Sequence, residues 1–143
     1  MKILLLTQVL PYPPDSGPKV KTWNVLKYLA PTPQVTPRLS FVRGDQSAEI
    51  AHLKTVCHAV HTVPIERKAV DDVRYLLKSV FTNQPFLMVR DDRANMRQLL
   101  SQLSAQTKFD IAHADQLNIA QYAERIPGAA KILTPIMPSG SST

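Results

Sequence analysis

The chain has 143 residues, 44% of them hydrophobic and 20% charged, with a formal net charge of +6 at pH 7. This is the composition of one folded globular domain, neither disordered nor fibrous, and no apolar run approaches the roughly 18 residues of a membrane span. The single cysteine, Cys57, excludes an intrachain disulfide framework. The short apolar start has no small-residue cleavage site, so a cytoplasmic location is expected.

The first predicted element is Lys2–Thr7, a continuous apolar run of the kind that forms a buried parallel strand. A proline-rich loop follows, ending in Ser16-Gly17-Pro18-Lys19. Val20, Trp23, Leu26 and Leu29 then recur at every third position, which predicts a helix over 19–30. Strand, extended loop, glycine and helix together aim free backbone N–H groups at an anionic ligand, although Pro18 has no N–H to contribute. Pro31, Pro33 and Pro37 interrupt the next stretch, so the second strand is expected at Arg38–Val42 with Pro37 at its entry, not in its middle. Gly44-Asp45 reads as a turn.

A second helix is predicted over 47–58, with Ile50, Leu53, Val56 and Cys57 on one face. Ala59–Pro64 is the third strand. Val73, Leu76, Leu77 and Val80 at helical spacing predict a helix over 70–81, capped near Asp71. Residues 84–90 fit a short connecting helix or an extended loop. Asp91 or Asp92 is expected to cap a helix reaching Ala105, with Met96, Leu99, Leu100 and Leu103 inward. Phe109–His113 is the fourth strand, Leu117–Glu124 a short helix and Ala130–Leu133 the fifth strand. Five strands separated by helices define an α/β fold, a doubly wound, mainly parallel sheet with helices on both faces. Residues 1–133 form this domain, and 134–143 read as an irregular tail.

In such sheets ligands bind beyond the C-terminal ends of the strands. Two loops reach that edge: the one after the first strand, and His113-Ala114-Asp115-Gln116-Leu117-Asn118 after the fourth. A carboxylate, an imidazole and two amides at a strand end can orient hydroxyl groups or accept a proton. The plainer reading makes Asp115 the N-cap of the next helix and His113 an ordinary strand-end histidine.

The segments Lys2–Thr7, Pro13-Pro14-Asp15-Ser16-Gly17 and the helix carrying Asn24, Leu26, Tyr28 and Leu29 resemble the N-terminal domain of GT-B glycosyltransferases. The likeness is to the retaining, sugar-nucleotide-dependent group 1 or family 4 enzymes. Phe41–Asp45, Gln84-Pro85-Phe86, Val89–Asp92 and Phe109–Leu117 are similar to the same group, so that the resemblance spans residues 1–133. It implies the Rossmann-like, acceptor-side half of a two-domain enzyme that transfers a sugar from a nucleotide-sugar donor to a hydroxyl acceptor, a glycan or a lipid-linked one.

Residue by residue, the resemblance implies a donor-phosphate loop of Ser16, Gly17 and Pro18, where Pro18 replaces the family's second glycine. It also implies His113 and Asp115 as the catalytic, acceptor-facing candidates, while Gln116, Asn118 and Lys19 are candidates for acceptor binding. The family's donor-binding domain is not recognisable in these 143 residues, so this half is expected to be inactive alone and to need a separately encoded donor domain. No metal and no cofactor is expected, the nucleotide-sugar being a substrate.

The alternative is a non-catalytic Rossmann-like or flavodoxin-like binding module for a small anion or a protein partner. The basic residues are dispersed without aromatic interleaving, which argues against nucleic acid; they leave a solvated surface, attraction to sugar nucleotides, or a peripheral contact with anionic headgroups at the inner face of a membrane as the options. Cys57, His58 and His61 would splay apart across a helix end and a strand, a poor metal set. Asp71-Asp72 and Asp91-Asp92 read as helix caps before paired acids, and Arg90, Arg93 and Arg97 as a helix face, solvated or turned to phosphates or headgroups. Trp23 and Tyr28 lie at helical spacing with the core stripe.

Overall fold

The computed structural model describes residues 1–31, 35–42, 46–64 and 68–133. The expected Gly44-Asp45 turn and the 134–143 tail lie outside them. Five strands, β1 (Ile3–Leu6), β2 (Val35–Val42), β3 (Val60–Pro64), β4 (Ile111–Ala114) and β5 (Ala130–Leu133), form one sheet in the order β3-β2-β1-β4-β5. Every pairing is parallel. The helices are α1 (Gly17–Leu29), α2 (Ser47–Val56), α3 (Ala69–Thr82), α4 (Phe86–Asp91), α5 (Ala94–Gln106) and α6 (Leu117–Ala123).

Alternation along β1 divides the core in two. Leu4 and Leu6 point into a cluster with Met96, Leu100 and Leu103 of α5, Phe109, and Ile119, Tyr122 and Ala123 of α6. Leu5 points the other way, to Leu10, Leu26 of α1, and Leu53 and Cys57 at α2. Because side chains alternate across a strand, these are opposite faces of the sheet, and every residue of β1 is buried. A central parallel strand covered on both sides has no solvent face to mark with polar residues, which is why Ile3–Leu6 is apolar throughout.

Pro37 lies inside β2, a central strand, against expectation. The register explains its tolerance. Ile3 pairs with Val35 but Leu5 with Arg38, so two steps on β1 face three on β2. The irregularity at 36–37 takes up one residue and interrupts the ladder where proline has no N–H to give.

Several boundaries also move. The N-cap of α3 is Lys68, not Asp71; Asp71 and Asp72 occupy its first turn, where carboxylates favour the exposed N–H dipoles. Residues 86–91 are helical, and Asp92 ends α4 while Arg93 is the N-cap of α5. The capping roles expected of Asp91 or Asp92 therefore fall to other residues. The Arg93 amide donates to the hydroxyl of fully buried Tyr122 at 2.7 Å, fixing the start of α5 to α6. The helical stripes of α2 and α5 are buried as expected. On α1 Leu26 is buried with Trp23 packed beside it, but Val20 and Tyr28 are exposed, and no residue of α3 is buried.

Candidate functional site

β1 and β4 are neighbours although 104 residues of chain lie between them, since β1 leads to β2 on one side and the chain returns past it to β4. This reversal of winding places the topological switch point at the C-terminal ends of β1 and β4, the position at which open α/β sheets bind ligands. The loop from Thr7 to Ser16 leaves one strand there, and Asp115-Gln116 leaves the other.

Three aromatic side chains anchor the first loop. Tyr12 stacks on His52 of α2 at 3.9 Å between ring centroids, and Trp23 of α1 stands 5.3 Å from Tyr12. Buried Leu10 and Pro11 hold the preceding stretch. The loop then delivers Ser16 as the N-cap of α1, an extended residue whose side chain makes no capping bond. Gly17 and Pro18 are the first two helical residues, two positions earlier than predicted. Proline is at ease here because first-turn N–H groups have no partner within the helix. A Cβ added to Gly17 would meet nothing within 4 Å, so internal packing does not demand glycine there. Lys19 pairs with Asp15 at 2.9 Å on the surface.

The second loop is tied to the first helix. The Asp115 amide donates to the Leu6 carbonyl at 3.1 Å, extending the β1–β4 contact by one residue. The Asp115 carboxylate, 6% exposed, accepts from the Thr22 hydroxyl at 2.8 Å. That hydroxyl also lies 3.0 Å from the Pro18 carbonyl, but it has one proton, and a carboxylate is the stronger acceptor. Asp115 is not a helix cap: the N-cap of α6 is Gln116, whose carbonyl accepts from the amides of Ile119 and Ala120.

His113 pairs in register with Leu5 and so shares the α1 face of the sheet. Burial lowers the pKa of its imidazole from 6.5, and the nearby Lys21 ammonium pushes the same way. At pH 7 the ring is neutral, able to accept a proton or a hydroxyl hydrogen. Asn118 is buried in the first turn of α6, and Gln116 is half-buried at its N-cap.

The structure thus brings Pro18 and Asp115 to one Thr22 hydroxyl and sets Lys21 of the same helix near His113; Ser16, Gly17 and Gln116 adjoin these residues in the chain. Lys19 points to Asp15 on the surface, and Asn118 is enclosed. Sequence reasoning missed Thr22 and Lys21. A signal for Thr22 existed: it lies four residues before Leu26 on the buried stripe, and a hydroxyl on that stripe needs a partner.

The other candidate clusters do not assemble. Arg90 lies over the Phe86 ring, Arg93 donates to the Tyr75 hydroxyl and Arg97 pairs with Asp92, so the three do not make one basic face. Among the described residues no group of three His, Cys, Asp or Glu side chains gathers as a metal site would require. A separate cleft of about 490 Å³ lies at the C-terminal end of β3, lined by Lys68, Asp71, Arg93 and Asn95 among others; none of the candidates above lines it.

The fold is a parallel α/β domain whose topological switch point falls between β1 and β4. No family model, no curated protein and no solved structure matches the chain.

Proposed function

We propose that the chain is the Rossmann-like, acceptor-side half of a GT-B glycosyltransferase and works with a donor-binding half to transfer a sugar from a nucleotide-sugar to a hydroxyl group. The observation that carries this reading is the bond from Thr22 to Asp115, which locks the middle of α1 against the end of β4. The two loops that the family resemblance singled out thereby form one wall of a cleft. Neutral His113 is the group suited to accept from an acceptor hydroxyl. Asp115, already bonded to Thr22, acts as a positioning residue that keeps the first turn of α1 and its Gly17 and Lys19 amides in place. Since Pro18 has no N–H, the donor diphosphate would meet those two amides and not a continuous row.

The reaction would depend on positioning and on electrostatic stabilisation of the departing diphosphate, most of which the donor half supplies. The test is a titration of the ¹⁵N-labelled chain with glycan acceptors and, separately, with inorganic phosphate. Acceptors should shift the amides of His113 and Gln116, phosphate those of Gly17 and Lys19, and transfer should appear only after a donor half is added. Shifts from phosphate with none from any acceptor would favour the small-anion binding module. Shifts confined to the β3 cleft would remove the proposed crevice.

A further inference from the structure

Helix α3 is amphipathic in the ordinary sense, but it is mounted the wrong way round for a globular protein. Val70, Val73, Leu77 and Val80 recur at intervals of three and four, with Leu76 and Phe81 beside them, and together they form one continuous apolar arc. All six are exposed, from 53% at Leu76 to 86% at Phe81. The side facing the protein is the polar one. Asp71, Asp72, Tyr75 and Ser79 are its half-buried residues, the Tyr75 hydroxyl accepts from Arg93 at 3.0 Å, and the Arg93 guanidinium also covers the Tyr75 ring. The Ser79 hydroxyl donates to the Gln84 carbonyl. The Tyr75–Arg93 contact therefore ties the polar side to α5, the Ser79 bond closes the helix end, and the apolar face is left outward.

An apolar patch of this extent marks an interaction surface, and charge selects the occupant. The two acids of α3 are on the half-buried side, whereas its fully exposed charged side chains, Arg74 and Lys78, are both cations bordering the arc. The whole chain carries +6. A second copy would bring Arg74 and Lys78 together with their equivalents, between two strongly cationic molecules, whereas an anionic surface would be complemented. Fourteen residues give a helix about 21 Å long, enough to lie in a headgroup layer.

We propose that α3 docks the protein on an anionic lipid bilayer, with Val70, Val73, Leu77, Val80 and Phe81 at the acyl boundary and Arg74 and Lys78 against lipid phosphates. The inference rests on α3 alone and not on the proposed sugar transfer, so either can fail without the other.

The test is sedimentation of the full chain with vesicles of phosphatidylcholine, or of phosphatidylcholine with phosphatidylglycerol. The protein should sediment with the mixed vesicles and stay in solution with the neutral ones. Arg74→Ala and Lys78→Ala should each weaken binding about 5-fold, and added salt should weaken it further. Leu77→Glu should abolish it with an unchanged circular dichroism spectrum; should that variant unfold, Val80→Ser must show reduced binding in its place. Wild-type protein that stays in solution with both vesicle types would overturn the proposal. So would folded Leu77→Glu that sediments like wild type, or a wild-type dimer that Leu77→Glu dissociates while vesicle binding is absent.

Discussion

The Thr22 hydroxyl donates to the Asp115 carboxylate at 2.8 Å, a buried bond between residues 93 positions apart. It joins the helix that begins at the proline-rich loop to the strand end that carries His113. A mid-helix threonine and a strand-end aspartate have no local reason to be paired; the bond exists because β4 lies beside β1. It also gives one oxygen of a buried carboxylate the donor that burial calls for.

Thr22→Val keeps the shape of the side chain and removes the donor. It should destabilise the fold by about 1.5–3 kcal/mol in urea denaturation, the usual range for a hydrogen bond to a charged group. Pairing it with Asp115→Asn in a double-mutant cycle should give a coupling of about 0.5–3 kcal/mol. Additive effects would show that the bond does not hold the two elements together.

Core truncations should differ sharply between the two kinds of helix. Leu26→Ala and Leu53→Ala remove fully buried side chains and should each cost about 2–5 kcal/mol. Leu77→Ala and Val80→Ala on α3 should stay within about 0.5 kcal/mol of wild type in the absence of lipid. A large loss at Leu77 would mean that α3 is covered.

His113 and His61 are both held below their ordinary pKa of 6.5, first by burial and then by Lys21 and Lys54 respectively. The folded state therefore resists protonation while the unfolded chain takes up protons normally. Stability is complete above about pH 6.5 and falls as pH drops from there through the lower folded values. His113→Gln should flatten the decline in Tm between about pH 7 and about pH 5. A slope identical to wild type would show that His113 is readily protonated in the fold.

Tyr12→Ala should loosen the loop before α1 while leaving the sheet intact. The stacking on His52 and the contact with Trp23 are lost together, each aromatic pair contributing about 0.5–1.5 kcal/mol. Limited proteolysis should then nick the chain between Pro13 and Lys19 faster than in wild type. Equal cleavage rates would assign the anchoring to Leu10 and Pro11.

The order of strands and helices was legible in the sequence because each element carries its own period. β1 is apolar without alternation, and Met96, Leu99, Leu100 and Leu103 repeat at helical spacing. The candidate site was partly legible, since any parallel sheet of this kind presents its loops at the C-terminal edge. Pro37 was misplaced because a proline rule for regular strands does not foresee a register shift that releases one residue from the ladder. Asp115 suits a cap in any sequence window that omits Thr22.

Local chemistry by itself determined which segments become strands and helices, and that Gly17 and Asp115 stand near strand ends. Periodicity is a property of consecutive residues and needs no partner. Tertiary structure alone decided which periodic faces are covered. The apolar stripes of α2 and α3 look equivalent in sequence, yet Leu53 is fully buried against the sheet while Leu77 faces outward. The reason is that the polar side of α3 faces the domain, where Tyr75 meets Arg93 at the start of α5, and a helix held by one face must turn the other away.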